Sequence, residues 1–382
     1  MGATEIIVAY WPVFIMSFGV ALVATPLCRR FALAYKIVDR PDDCLKPHHK
    51  PVPYLGGVAI FLGWSAGVAL ALWMGTHGSE SAADAGGGSV DLRMVLGIVI
   101  AGTVIMALGL LDDIRHVSPT GRLLVTLALG ILLVVCGLGD DFVLTFIRQT
   151  GVTLLPDLRW LALVLSVPVT LFVVMGACNA TNVLDGLDGL CAGVLGIINI
   201  GFLGLALYLH ARGVWPPGDV RCVVLSLAVC GAAFGFLPYN RHRATIFMGD
   251  AGSMFLGMNA AIVILLFAET AVLRFALAAL MVFALPVVDM SLAMFRRRRA
   301  GKPMTQGDRS HFYDQLVDRG YAVPKVAAIA YALAAGYVML GWGTMMLTTP
   351  GAIALCVTAA SVTVAVIVLG RMVRTDSKEK DG

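Results

Sequence analysis

Apolar runs alternate with short polar segments along the whole chain, and a run of about 20 residues is long enough to cross a bilayer as a helix. The pattern predicts eleven such helices, at residues 5–28, 54–74, 93–111, 120–138, 160–178, 189–209, 220–238, 251–268, 271–295, 321–347 and 350–371. We therefore expect an all-α fold, a polytopic integral membrane bundle. Residues 1–371 would form one transmembrane domain, followed by a tail at residues 372–382.

The distribution of Lys and Arg predicts the orientation of this bundle. The outside segments and their flanks hold only six basic residues, Arg93, Arg148, Arg159, Arg212, Arg221 and Arg274. The other 22 of the 28 fall in the remaining loops, at adjacent helix ends and in the C-terminal tail. Because cytoplasmic loops of membrane proteins carry an excess of Lys and Arg, we expect the N-terminus outside and the C-terminus in the cytoplasm.

Composition supports the membrane class and excludes a soluble domain. Hydrophobic residues make up 59% of the chain, charged residues only 14%, and the mean hydropathy is +0.86. Soluble domains carry about a quarter charged residues. The eight cysteines are scattered without a CxxC pair, so they predict neither a disulfide framework nor a zinc site.

Two of the predicted cytoplasmic segments contain acids where ordinary loops contain Lys and Arg. Asp112 and Asp113 are adjacent at the end of the third helix, and they repel each other unless a cation lies between them. An ordinary solvated start of a loop is the alternative.

In the second of these segments, Asn179, Asn182, Asp185 and Asp188 recur every three residues, a spacing that would align them on one helical face. Polar groups beside apolar helices are costly unless they bind something, although a helix-capping turn is the alternative.

Two further segments add candidate ligands. Asp250 begins an apolar helix, where it could act as an N-cap or as a ligand of Mg²⁺ or Mn²⁺, which prefer oxygen donors. The last long loop contains Asp308, Arg309 and His311, which combine an acid, a guanidinium that can clamp phosphate and a titratable imidazole. The basic segment 46–50 could contact phosphates or simply lead into the second helix.

Taken together and in this order, the segments resemble the polyprenyl-phosphate N-acetylhexosamine-1-phosphate transferase family, within glycosyltransferase family 4. That family also includes the phospho-N-acetylmuramoyl-pentapeptide transferases. The matching features are Leu111-Asp112-Asp113, the segment 179–190, the segment 247–253 (Phe-Met-Gly-Asp-Ala-Gly-Ser) and a last loop with His311. They lie within residues 50–313, so the resemblance covers most of the chain.

The resemblance implies transfer of a sugar-1-phosphate from a UDP-N-acetylhexosamine to undecaprenyl phosphate or another polyprenyl phosphate, with release of UMP. It implies Mg²⁺ (or Mn²⁺) as cofactor, because a phosphate that attacks a diphosphate must overcome charge repulsion. The expected location is the bacterial cytoplasmic (inner) membrane, with the catalytic loops on the cytoplasmic face. We expect contact with membrane lipids and no binding of nucleic acid. Whether the protein forms a homodimer is left open.

By the same resemblance, Asp250 would be the main metal ligand, with Asp113 and Asp112 near the metal and the lipid phosphate. Asp185 and Asp188 would serve catalysis and orient the nucleotide. Either an aspartate takes the acceptor's remaining proton, or it attacks phosphorus itself in a two-step path.

The resemblance also implies which residues bind the substrates. These residues are Lys50, Asn179, Asn182, Asn240, Phe247 and Arg309. Asn240 and Phe247 would line the uridine pocket, and Lys50 would lie near the diphosphate, although Lys46 is an equal candidate. His311 would serve catalysis, and both His311 and Arg309 would bind phosphate or the sugar.

One departure from the family pattern bears on the substrate. Pentapeptide-specific members carry a run of histidines in the last loop, and many hexosamine-specific members carry His-x-His-His. Residues 311–314 here read His-Phe-Tyr-Asp, with a single histidine. This difference argues against the pentapeptide and favours UDP-GlcNAc or a modified N-acetylated sugar such as GalNAc, FucNAc or QuiNAc. Two alternatives stay open: the pentapeptide transferase, and an ion-coupled membrane transporter that uses acids within the membrane, such as Asp289 and Glu269.

Overall fold

The computed structural model describes residues 2–39, 51–77, 91–140, 143, 147, 159–215, 219–270, 272–299, 301 and 311–369. The helices with given bounds are α1 (Ala3–Ala34), α2 (Gly56–His77), α3 (Leu92–Arg115), α4 (Pro119–Val135), α5 (Arg159–Leu184), α6 (Leu190–Ala211), α7 (Arg221–Asn240), α8 (Gly249–Ala268), α9 (Leu273–Val282), α10 (Ala284–Arg299), α11 (Phe312–Asp318), α12 (Val323–Met346) and α13 (Thr349–Leu369). Two short antiparallel strands, β1 (Val38–Asp39) and β2 (Val52–Pro53), pair between α1 and α2.

Every predicted apolar run overlaps a helix of the structure, which confirms the all-α membrane bundle. By length and composition, eight of the described helices can cross a membrane, or nine if α9 and α10 form one bent span. The helix α4 and the 349–365 part of α13 are apolar but shorter. The count of eleven crossings and the orientation therefore stay predictions.

The helix α8 is the centre of the bundle. Every residue of it except Asp250 is buried, as expected for a helix that is apolar on almost every side. The helices α2, α3, α5 and α9 pack around it. Aromatic rings strengthen one of these contacts, because Phe61 and Trp64 of α2 meet Phe255 of α8 edge to face, at 5.4 and 5.2 Å between ring centroids.

Glycines let α2 and α3 approach the first turn of α8 closely. A Cβ atom on Gly109 of α3 would overlap the backbone at Asp250, and one on Gly57 of α2 would overlap the backbone of Gly252. Close approach of this kind is what small residues provide between membrane helices. It brings the ends of three helices to the point where the candidate acids lie.

The last part of the bundle contains a sharp bend. The helices α9 and α10 meet at 70° around Phe283, and α10 then packs against α5 and α12. The short helix α11 packs on α12. This arrangement returns the chain to the end of the bundle that holds the acids.

We expect Gly109→Ala to lower the free energy of unfolding by about 1–3 kcal/mol, because the added methyl group must displace backbone of α8. The measurement is the thermal midpoint of the purified protein in detergent. The matched control is Gly176→Ala in α5, where a Cβ meets no atom within 4 Å and helix propensity alone favours the variant. Equal midpoints for the two variants would show that the contact is not tight.

Candidate active site

A cavity of about 1150 Å³ opens at one end of the bundle, where the C-terminal ends of α3 and α5 meet the N-terminal ends of α4 and α8. Eight of the residues singled out in the sequence line it: Asp112, Asp113, Asn182, Asp185, Asp188, Asn240, Phe247 and Asp250. Asp39, which β1 holds in place, and Tyr54 close one side. The structure therefore gathers acids from four separate segments of the chain around one space.

Asp113 holds the beginning of α8. One of its carboxylate oxygens accepts a hydrogen bond from the Asp250 amide at 2.9 Å, and the other accepts one from the Ala251 amide at 3.2 Å. The first amides of a helix have no partner within the helix, so a carboxylate here satisfies two of them and faces the positive end of the helix dipole. Gly249 has a φ of +68°, and a Cβ there would collide with Asp113.

Asp250 is not the N-cap that its position suggested, because it is the second residue of α8 and Asp113 does the capping. Its side chain does not bond the amides of the helix, and its two oxygens accept hydrogen bonds from Asn182 and Arg122. Asn182 donates to one oxygen at 2.7 Å and to the hydroxyl of Ser253 at 3.1 Å. The position of Asn182 in the last turns of α5 thus orients the Asp250 carboxylate.

Arg122 is a site residue that is not among the candidates from the sequence, where it is one of the basic residues at helix ends. Its Nη1 lies 2.8 Å from an oxygen of Asp112 and 3.2 Å from an oxygen of Asp250, so one guanidinium bridges the two acids. A positive charge in the first turn of α4 is unfavourable, because the helix dipole is positive at this end. The position of Arg122 in the sequence could therefore have indicated that an acid from elsewhere pairs with it. Asp112 also accepts the Val117 amide at 2.7 Å, which connects α3 to the start of α4.

Asp185 and Asp188 come from the loop after α5 and not from a helical face. The helix ends at Leu184, and three-residue steps along a helix of 3.6 residues per turn rotate successive side chains by about 60°. Asn179 shows the result: it is exposed, bonds the carbonyl of Met175 at 2.8 Å and does not line the cavity. The alignment of this series on one helical face is therefore wrong.

The environment of Asp185 disfavours its charge. Burial is the main cause, with the nearby charges of Asp250, Asp113 and Asp188 next, and together they raise the pKa of Asp185 well above its usual range. Asp188 lies farther out, with an oxygen 2.9 Å from Nδ1 of His242 and 3.1 Å from the amide of Ala244. The two neighbouring acids therefore differ in their surroundings.

Asn240 connects two segments of the cavity wall. It is buried, and its side-chain oxygen accepts the Gly189 amide at 3.1 Å while its amide donates to the carbonyl of Ile246 at 3.1 Å. Phe247 is held through its backbone, which bonds Pro53 and Gly56, and its side chain lines the cavity. Their role in a uridine pocket stays a prediction.

The remaining candidates lie outside the described lining or outside the described residues. His311 is buried beside Asp289, with Nδ1 3.0 Å from a carboxylate oxygen, and is not among the cavity residues. Lys50, Lys46 and Arg309 fall outside the part of the chain that the structure describes. The roles expected for these residues stay predictions.

The donor set of the cavity fits a hard divalent cation in its chemistry. Mg²⁺ prefers carboxylate oxygens as ligands, and the cavity offers them on six aspartates. The acids outnumber the basic residues of the lining, which are two arginines and two histidines. Within the described residues, however, no three His, Cys, Asp or Glu side chains are arranged to hold a metal ion together. Arg122 lies between two of the acids and supplies positive charge at that point.

Comparison with known proteins identifies relatives of this chain. The model of the glycosyl transferase family 4 matches residues 95–268, a span that contains the acids of α3, of the loop after α5 and of α8. The chain is 33% identical to a probable undecaprenyl-phosphate N-acetylglucosaminyl 1-phosphate transferase of Bacillus subtilis, over 84% of this chain and 80% of the relative.

Two other relatives extend the comparison. A decaprenyl-phosphate N-acetylglucosaminephosphotransferase of Mycolicibacterium smegmatis is 30% identical over 92% of this chain and 86% of its own length. A phospho-N-acetylmuramoyl-pentapeptide-transferase of Chlorobium phaeobacteroides is 33% identical over 45% of this chain and 50% of its own. The similarity to proteins named for N-acetylglucosamine phosphate transfer thus spans more of the chain.

We expect Asp185→Asn to stabilise the protein at neutral pH. Because the pKa of Asp185 is raised on folding, its ionisation destabilises the folded state as the pH rises, whereas below about pH 3.9 it is protonated in both states. The thermal midpoint of the variant, measured in a buffer with chelator, should exceed that of the wild type at pH 8, and the difference should shrink toward pH 4.5. A difference that grows as the pH falls would contradict the inferred environment.

Proposed function

Because the chain belongs to glycosyl transferase family 4, we propose that it transfers an N-acetylhexosamine-1-phosphate from a UDP-sugar to a polyprenyl phosphate and releases UMP. The resemblance seen in the sequence is thereby confirmed at the level of the family. N-acetylglucosamine is the first choice of sugar, since the relatives that match most of the chain are named for it. The single histidine at position 311 argues against the pentapeptide donor and does not select among the N-acetylated sugars.

The observation that carries this proposal is the position of the acids. Asp112, Asp113, Asp185, Asp188 and Asp250 share one cavity at one end of a bundle of apolar helices. A lipid phosphate has a polar head and an apolar tail, so a site that acts on it must lie where the helices emerge from the bilayer. An ion-coupled transporter would instead place its acids near the middle of the spans.

In this reaction an oxygen of the acceptor phosphate forms a bond to the phosphorus that carries the sugar. The bond from that phosphorus to the bridging oxygen breaks, and the oxygen leaves with UMP. Mg²⁺ (or Mn²⁺), which Asp250 and Asp113 would hold, neutralises the phosphoryl oxygens when bound. The cavity of about 1150 Å³ is large enough for a nucleotide sugar beside a phosphate head.

The chain's own residues prepare this step. Arg122 holds Asp112 and Asp250 together and presents a cation to the phosphates that enter. Asp113, fixed on two amides of α8, keeps the first turn of that helix in place. We assign Asp185, which lines the cavity, as the base for a proton on the acceptor, and the burial that raises its pKa makes its carboxylate a stronger proton acceptor.

The protein is a multi-pass membrane protein. Its proposed location is the bacterial cytoplasmic membrane, with the cavity on the cytoplasmic face, and the concentration of Lys and Arg in the loops at that end supports this side. The acceptor is proposed as undecaprenyl phosphate or a close homologue, as in the names of the relatives. Assembly as a homodimer stays a prediction.

We expect Asp250→Asn to lower metal-dependent transfer by at least about 100-fold, since loss of a metal ligand removes several kcal/mol of charge stabilisation. The assay follows UMP release by purified protein with undecaprenyl phosphate and UDP-GlcNAc, against Mg²⁺ concentration. The control is Asp219→Asn, which changes a partly buried acid in the loop before α7, at the opposite end of the bundle. Full Mg²⁺-dependent activity in the Asp250 variant would refute the metal assignment.

Donor choice distinguishes the proposed function from its relatives. We expect UMP release with UDP-GlcNAc or another UDP-N-acetylhexosamine and little with UDP-N-acetylmuramoyl-pentapeptide, because the last loop lacks a run of histidines. A panel of labelled donors measures this. Activity with the pentapeptide donor alone would show that the protein is a phospho-N-acetylmuramoyl-pentapeptide transferase. A lack of activity with every donor would refute the proposed function.

Arg122→Gln should lower the Mg²⁺ concentration that gives half-maximal activity by severalfold, and lower kcat as well. The guanidinium competes with a dication for Asp250, but it also stabilises the charge of the reacting phosphates. Arg122→Lys, which keeps the charge, is the control and should shift the Mg²⁺ requirement less. An unchanged requirement in Arg122→Gln would show that the guanidinium and the metal do not share the acid.

A further inference from the structure

A buried carboxylate outside the cavity organises the start of α11. Asp289 of α10 is 1% exposed, and its two oxygens have separate partners. One accepts Nδ1–H of His311 at 3.0 Å, and the other accepts the amide of Phe312 at 3.0 Å. A fully buried carboxylate is costly unless both oxygens are bonded in this way. In the sequence, Asp289 is recognisable only as an acid within an apolar run.

Residues at the start of α11 connect the Asp289 contact to the wall of the cavity. The rings of His311 and Tyr313 stack, with centroids 5.3 Å apart and planes at 13°. The hydroxyl of Tyr313 donates to the carbonyl of Val183 at 2.8 Å. Val183 lies in the last turn of α5, where carbonyls have no partner within the helix, so Tyr313 caps this helix end.

The capped turn leads directly into the loop that carries Asp185. The ring of Tyr313 packs so closely on Gly186 that a Cβ there would overlap it. Asp185 is therefore flanked by two points that one aromatic side chain holds, the Val183 carbonyl and the Gly186 backbone. A small displacement of Tyr313 would move the carboxylate that faces the substrates.

We propose that Asp289 is a positioning residue for the transfer reaction: it fixes His311 and the start of α11, so that Tyr313 sets the place of Asp185. The proposal deepens the proposed function and rests on it for the effect on catalysis. The contact itself does not depend on the reaction, because it joins α10, α11 and α5 in the protein without substrate.

The main variant is Asp289→Asn, which keeps the shape of the side chain. An asparagine can accept only one of the two N–H groups with its oxygen, and its own amide then faces the other donor. We expect kcat to fall at least about tenfold, because small misplacement of a reacting group is expensive, while KM for the UDP-sugar stays within about twofold. The thermal midpoint is measured for the same sample.

The matched control is Glu269→Gln, the same change of a largely buried acid to its amide. Glu269 lies after α8 at the opposite end of the bundle, where it pairs with Arg221 at 3.3 Å. It should keep its kcat, whatever the change in its thermal midpoint. If the two variants lost kcat in proportion to their loss of stability, Asp289 would have a structural role only, and the proposal would be overturned.

Hydrogen–deuterium exchange tests the contact without any assay of activity. Asp289→Asn should exchange faster than the wild type at residues 183–190 and 311–318, and Glu269→Gln should not. Tyr313→Phe, which removes one hydroxyl, should speed exchange at 183–190 while leaving 311–318 nearly unchanged. Unchanged exchange of both segments in Asp289→Asn would overturn the proposal.

A double-mutant cycle tests whether Asp289 acts through His311. The loss of kcat in Asp289→Asn/His311→Ala should be clearly smaller than the sum of the losses in the two single variants, because the effects of residues in direct contact are not additive. Additive losses would overturn the proposed chain of contacts. A wild type without transfer to polyprenyl phosphate from any donor, but with the expected exchange pattern, would refute the function and the catalytic role and leave the contact standing.

Discussion

The structure depends on how the chain satisfies the free amides at the start of α8. Every residue of this helix except Asp250 is buried, so unpaired amides in its first turn would be costly. The carboxylate of Asp113 bonds two of them. An acid that would otherwise be repelled by its neighbours is thereby held at the positive end of a helix, and the cavity forms around it.

The close packing of the bundle follows from the same point. Gly57 and Gly109 allow α2 and α3 to approach the first turn of α8, which puts Asp112 and Asp113 beside Asp250. Arg122 then reduces the repulsion between two of these acids. The cavity is thus an acidic space in which a helix end and the Arg122 guanidinium offset part of the negative charge, and a metal ion that bound Asp250 would exchange with the Arg122 contact.

Much of this arrangement could be predicted from the sequence, because long apolar runs and acids next to their ends have few alternative interpretations. The runs predicted the helices, and eight of the candidate site residues line one cavity. Two kinds of feature were not predicted: the direction in which a side chain points around its helix, and contacts between segments distant in the sequence. Asn179 points away because three-residue spacing does not match the helical repeat, and Arg122 and Asp289 act through contacts with distant segments. A single sequence gives no distance between α4 and α8 or between α10 and the last loop.

The central claim is that Asp113 holds the first turn of α8 while Asp250 remains available to a metal ion. An experimental structure of the protein with Mg²⁺ and a non-reacting UDP-GlcNAc analogue tests it most directly. The account predicts metal density about 2.0–2.1 Å from an oxygen of Asp250, with Asp113 still bonded to the amides of residues 250 and 251. Metal bound away from Asp250, or an Asp113 that leaves the helix and lets its first turn unwind, would contradict it.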